Sequence, residues 1–190
     1  MPIYDCSTPA HDLNSCRFNL HASSAMPSTK TTRLFGYQWS ELFGLVLDVK
    51  SYPEFVPHCR AVKMLSRKVQ EPGRTIIVSR MTVGFLTFQI DYANRTTGDE
   101  IAHRISVEAI DGPMRYLRVG WDFEAVNEDH TQLHFSVDYE FNNPVLGAVA
   151  SRVFNAMFGE ILNAFERRAA RLFPNRADAA GAARGRSRRL

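Results

Sequence analysis

Four residues of the types that bind zinc recur at five-residue intervals near the start of the chain, Cys6, His11, Cys16 and His21. Structural zinc sites usually draw two ligands from positions roughly two to four residues apart, so that one turn of chain supplies two corners of the tetrahedron. Five-residue spacing lacks such pairs, and no metal site is expected. No histidine pair has the helical spacing of a zinc hydrolase, no glycine-rich loop is placed to cradle phosphate, and no Gly-x-Ser-x-Gly elbow presents a nucleophile. Serine, histidine and aspartate occur, but nothing in their spacing joins them into an acid-base or nucleophilic constellation. The chain is expected not to be an enzyme and to require no cofactor.

His103 shares a strand face with Ile101, Ile105 and Val107. At that position it reads as a core or rim histidine satisfied by a backbone group, with contact to a bound ligand as the alternative. The aromatic residues carry more information. Phe88, Tyr92, Trp121, Phe123, Phe135 and Tyr139 all fall on the apolar side of alternating runs, and a later helical stretch offers Val149, Val153, Met157 and Phe158 to meet them. Two such faces can fill solidly or can enclose an apolar cavity. Periodicity leaves both open, while methionine favours an adaptable lining.

Those faces require a particular set of elements. Thr29 to Arg33 reads as a short strand, and Ser40 is an N-cap candidate for a helix carrying Leu42, Phe43, Val46 and Leu47. Two prolines in Tyr52-Pro53-Glu54-Phe55-Val56-Pro57 then impose a turn or one short helical turn. Alternating runs at 61–69, 74–83, 86–92, 101–108, 117–124 and 132–141 follow, separated by turn signals at Glu71-Pro72-Gly73, Thr97-Gly98-Asp99, Asp111-Gly112-Pro113 and Asn127 to His130. Connections this short make hairpins, hence an antiparallel meander. After Pro144 the apolar period changes to that of a helix, through Leu146, Val149, Val153, Met157, Ile161 and Phe165, over about 28 residues or 40 Å. The expected fold is α+β: a curved antiparallel sheet of about six to seven strands wrapped around a long C-terminal helix.

The 190 residues, 45% of them hydrophobic and 11% aromatic, suffice for one sizeable core. Residues 1–25 show no periodicity and read as a disordered N-terminal segment, residues 26–173 as the domain, and residues 174–190 as a disordered basic tail. The formal charge is +3, but five arginines against Asp178 place four positive charges in that tail, so the rest of the chain is close to neutral. A domain of that charge lacks the broad basic surface of a nucleic-acid binder, and no DNA partner is expected. No apolar run approaches the roughly 18 to 20 residues of a membrane-spanning helix. Three cysteines cannot all pair and no secretory leader precedes them, which points to a cytoplasmic location.

The segments Tyr52-Pro53-Glu54-Phe55-Val56-Pro57-His58-Cys59, Asp111-Gly112-Pro113-Met114-Arg115-Tyr116-Leu117 and Trp121-Asp122-Phe123 resemble the coenzyme Q-binding START-domain proteins of the polyketide cyclase/dehydrase-like superfamily. The order of elements matches as well, and the resemblance covers 26–173. One departure is His58, where members of the family often carry tryptophan.

The resemblance implies a helix-grip fold with a cavity between sheet and helix, and ubiquinone or a related polyprenyl lipid as a carried ligand, chaperoned for respiration and ubiquinone biosynthesis. The candidate ligand-binding residues are Tyr52, Pro53, Phe55, Val56 and Pro57 at the rim, Phe88, Tyr116 and Trp121 on the sheet, and Val149, Val153 and Met157 on the helix. The same motifs occur in RatA-type toxins that block ribosomal subunit association, so the ribosome is the alternative partner, and cyclase-like enzymes share the scaffold. Five tail arginines would suit peripheral contact with an anionic inner-membrane surface or its respiratory and biosynthetic complexes, or with ribosomal RNA, or would merely keep the tail solvated.

Overall fold

Strand β7 (Thr131–Phe141) alternates buried and half-buried residues along its whole length, with Leu133, Phe135, Val137, Tyr139 and Phe141 turned inward as their spacing requires. It belongs to a seven-stranded antiparallel sheet with β1 (Ser28–Phe35), β2 (Cys59–Glu71), β3 (Arg74–Phe85), β4 (Phe88–Asp99), β5 (Arg104–Asp111) and β6 (Met114–Ala125). The order β1-β7-β6-β5-β4-β3-β2 makes β2 to β7 a meander, and β1 joins the last strand from the far side. The chain crosses between the two edges through α1 (Trp39–Leu47), a 3₁₀ turn at Val49–Ser51 and α2 (Tyr52–Phe55). Helix α3 (Pro144–Leu172) opens with proline at its first position, where the missing N–H costs nothing. This is the helix-grip arrangement expected.

The computed structural model describes residues 28–71, 73–85 and 88–173, with the side chains of residues 71, 85, 88 and 144–156 outside the described set. The two segments expected to be disordered, 1–25 and 174–190, also lie outside it.

Three local expectations are corrected. Thr97-Gly98-Asp99 is strand, and the turn falls at residues 100–103. Gly98 is present for space: a Cβ there would sit 3.0 Å from the Leu47 side chain and 3.1 Å from the Phe43 ring. His103 consequently stands in the turn with φ 49°, its ring stacked on Trp39 at 3.7 Å, and Ile101 is 83% exposed. Helix α1 is capped by Gln38 rather than Ser40, because Glu41 in the first turn accepts the Gln38 N–H at 3.0 Å.

The core lies between the inner face of the sheet and the helices. Phe158 and Phe165 of α3 pack on Phe135 and Trp121, at 6.3 and 5.0 Å between ring centroids. At one end α1 covers the sheet instead, with Phe43 edge-on to Phe123 at 5.7 Å.

The outer face is organised in rows. Register places Arg95, Glu108, Arg118 and Asp138 side by side across β4, β5, β6 and β7. A second row runs Arg74, Asp99, Arg104 and Asp122 from β3 to β6. Charge alternates in sign along both, as favourable cross-strand pairing requires.

Candidate functional site

Between α3 and the inner face of the sheet is a partly open cavity of about 140 Å³. Strand alternation supplies most of its wall: Met81 and Val83 from β3, Ile90, Tyr92 and Asn94 from β4, Leu117, Val119 and Trp121 from β6, and Phe135 and Val137 from β7. Helix α3 contributes Met157, Phe158, Ile161 and Phe165, which follow one another at helical spacing. The remaining side comes from Tyr52, Val56, Pro57 and Cys59, where the chain passes from α2 into β2.

Phe165 joins these walls. Its ring meets Tyr52 at 5.5 Å and Phe55 at 5.1 Å, both edge-on, and Trp121 at 5.0 Å. The Tyr52 hydroxyl donates to the Val46 carbonyl at 2.6 Å, which ties α2 to the end of α1. Asp48 accepts the Ser51 hydroxyl at 2.6 Å and stiffens the turn between them.

The titratable groups in the wall are held neutral. Burial pushes the Tyr52 and Tyr92 phenols well above the usual tyrosine range, and it pushes the Cys59 thiol up to about 11. None is poised as a base or nucleophile near neutral pH. No cluster of three metal-ligating side chains occurs among the described residues. The arrangement suits an uncharged, largely apolar molecule held by contact area and a few neutral polar groups.

The cavity is small beside the roughly 300 Å³ at which drug-sized ligand pockets begin. A ring with an isoprenoid tail therefore needs lining side chains to shift. Met81, Met114 and Met157 all face the space, and unbranched thioether chains re-pack more readily than branched ones.

Of the candidate residues read from the sequence, Tyr52, Val56, Pro57, Trp121 and Met157 line the cavity. Pro53 is exposed, and Phe55 packs beside the cavity against Phe165 instead of facing into it. Tyr116 lies on the opposite face of β6 from Leu117, with the Arg118 guanidinium 5.9 Å from its ring. Phe88, Val149 and Val153 have side chains outside the described set. Cys59, Met81, Val83 and Asn94 were missed. Asn94 had a legible signal, since it stands in phase with Ile90 and Tyr92 as an amide on an apolar face.

The family model described as polyketide cyclase / dehydrase and lipid transport matches residues 36–166. The ribosome association toxin RatA of Rickettsia prowazekii is 30% identical over 147 residues, covering 76% of this chain and 97% of that protein. The mitochondrial coenzyme Q-binding protein COQ10 homolog B of Xenopus laevis is 26% identical over 174 residues, covering 88% of this chain and 69% of that protein. Among solved structures, an 18 kDa protein of Caulobacter crescentus matches with a TM-score of 0.64 at 28% identity, covering 77% of this chain and 98% of that one.

Proposed function

Since the chain belongs to the polyketide cyclase / dehydrase and lipid transport family, we propose that its cavity holds ubiquinone or a closely related polyprenyl quinone and carries it chemically unchanged. The observation that carries this reading is the neutral, aromatic and aliphatic wall, in which the phenols and the thiol are kept protonated by burial. Each methylene removed from water contributes about 0.8 kcal/mol, so two or three isoprene units anchor a ligand before any polar contact is counted. The relative named as a coenzyme Q-binding protein supports the same ligand class. A ligand with an insoluble tail is exchanged at a membrane surface, which makes the carrier a peripheral visitor there. No helix among the described residues is long and apolar enough to cross a membrane.

The test is to purify the full chain, extract it with organic solvent and identify bound lipid by mass spectrometry, then titrate the stripped protein with a short-tailed ubiquinone. Co-extracted quinone and saturable binding are expected. Extracts free of polyprenyl lipid, together with no binding of added quinone, would overturn the reading.

The relative named as a ribosome association toxin favours a second reading, in which the chain binds the ribosome. Co-sedimentation with purified ribosomes separates the two. Under the carrier reading the protein stays in the supernatant.

A further inference from the structure

We infer that Asn94 recognises a ring carbonyl of the ligand and makes the cavity favour the oxidised quinone over the corresponding quinol, an inference that rests on the quinone reading above. Asn94 is 2% exposed and lines the cavity from β4. Directly opposite on β3 is Ser79, fully buried, whose hydroxyl donates to Asn94 Oδ1 at 2.9 Å. That bond sets the amide. With its oxygen engaged by Ser79, the side chain is left with two N–H donors beside the cavity and, among the described residues, no hydrogen-bond acceptor for them. Facing an almost wholly apolar space, those donors favour a ligand that brings an acceptor to them.

The other polar hydrogens of the wall are of the same kind. The Tyr92 hydroxyl spends its hydrogen on Met81 Sδ at 3.6 Å, a weak bond that a ligand oxygen can replace. The Cys59 thiol, held protonated, is a weak donor. Tyr52 is already committed to Val46. The side-chain acceptors of the described lining residues are phenolic oxygens, sulfur and the one lone pair that Ser79 leaves on Asn94 Oδ1, with no carboxylate among them. A quinone brings only acceptors and matches this set. A quinol brings two O–H groups that must be buried against these few acceptors, at a cost the quinone does not bear.

Equilibrium binding of a short-tailed ubiquinone and of its quinol, the latter kept reduced under anaerobic conditions, tests the inference on the full chain. The unaltered protein should bind the quinone about tenfold more tightly, the scale of one buried hydrogen bond. Asn94→Leu should lose most of that preference by weakening quinone binding about three- to tenfold while leaving quinol affinity in place. Ser79→Ala, which no longer orients the amide and lets it turn its oxygen to a quinol, should narrow the ratio with Asn94 intact. A ring-free isoprenoid hydrocarbon of matched length should bind the unaltered protein and Asn94→Leu alike. Equal affinity for the two redox forms, an unchanged ratio in both variants, or parallel loss of the hydrocarbon would overturn the role of Asn94 and leave the carrier reading standing. Failure of the unaltered protein to bind either form would overturn the carrier reading itself.

Discussion

Arg168 of α3 reaches Glu54 of α2, its Nη2 donating to the carboxylate at 2.9 Å. The same guanidinium lies 5.3 Å from the centre of the Phe55 ring, so one side chain grips two of the four residues of α2. Glu54 is largely exposed, and an ion pair of that kind contributes only about 0–1 kcal/mol. Its value is positional: it holds α2, and with it Tyr52 and the segment through Pro57, against α3. Arg168→Met should lower stability by about 1 kcal/mol, read from the denaturant midpoint, and should speed ligand release measured in a dissociation experiment. A release rate equal to that of the unaltered protein would mean that Tyr52 and Phe55 secure α2 by themselves.

Gly98 is where α1 meets the sheet. Gly98→Val should cost about 1–3 kcal/mol, because the new side chain must displace the buried ends of Leu47 and Phe43. Since the clash lies under α1 and away from the cavity wall, ligand affinity per folded molecule should be unchanged. Thermal unfolding and binding on one preparation check both halves.

Met157 separates an open cavity from a filled core. Met157→Trp replaces an unbranched chain with an indole in a wall that also contains Trp121 and Phe135. If the space is usable, the variant should keep its denaturant midpoint to within about 1 kcal/mol and lose quinone, whereas a solid core should lose about 1–3 kcal/mol by overpacking. Arg171→Ala, on an exposed position of the same helix, should change neither quantity.

Alkaline pH should weaken the fold through the cavity wall. The Cys59 thiol is raised from 9.0 to about 11, so above pH 9 the unfolded chain releases a proton that the folded one retains. Stability is therefore whole below about pH 9 and declines as pH climbs towards 11, with the two raised phenols extending the loss to higher pH. In a Cys6→Ser/Cys16→Ser background, the remaining thiol should react slowly with iodoacetamide at pH 8, and Cys59→Ala should flatten the decline between pH 9 and 11. Rapid labelling of the folded protein at pH 8 would contradict the burial of Cys59.

Much of the fold was legible because strand and helix announce themselves by period. The inward set of β7 could be written down residue by residue, as could Met157, Phe158, Ile161 and Phe165 on the described part of α3. Glycine and proline were less dependable, since they mark close approach as well as turns: Gly98 ended a strand on paper and lies inside one in space, under Leu47. The cavity was half legible. Tyr52 and Trp121 belonged to recognisable segments, but whether Phe55 faced the space or the helix depended on how α2 is rolled against Phe165. Tyr116 was assigned through its motif although its neighbour Leu117 occupies the inward phase with Trp121. Asn94 stands out by phase as an amide on an apolar face, but its role as an oriented donor depends on the register with Ser79, which spacing within one strand does not show.

The alternating rows on the outer face also constrain how this surface can drift over evolutionary time. Glu108 stands between Arg95 and Arg118, so reversing its sign alone sets three like charges side by side, while reversing Asp138 at the end of that row of charges disturbs one charged neighbour. Substitutions should be tolerated from the ends of a row inward, and inverting every sign in a row keeps each neighbouring pair opposite where inverting one does not. The face therefore accepts change in correlated blocks, and a charge at the centre of the sheet is held in place by its neighbours more firmly than its exposure to water would suggest.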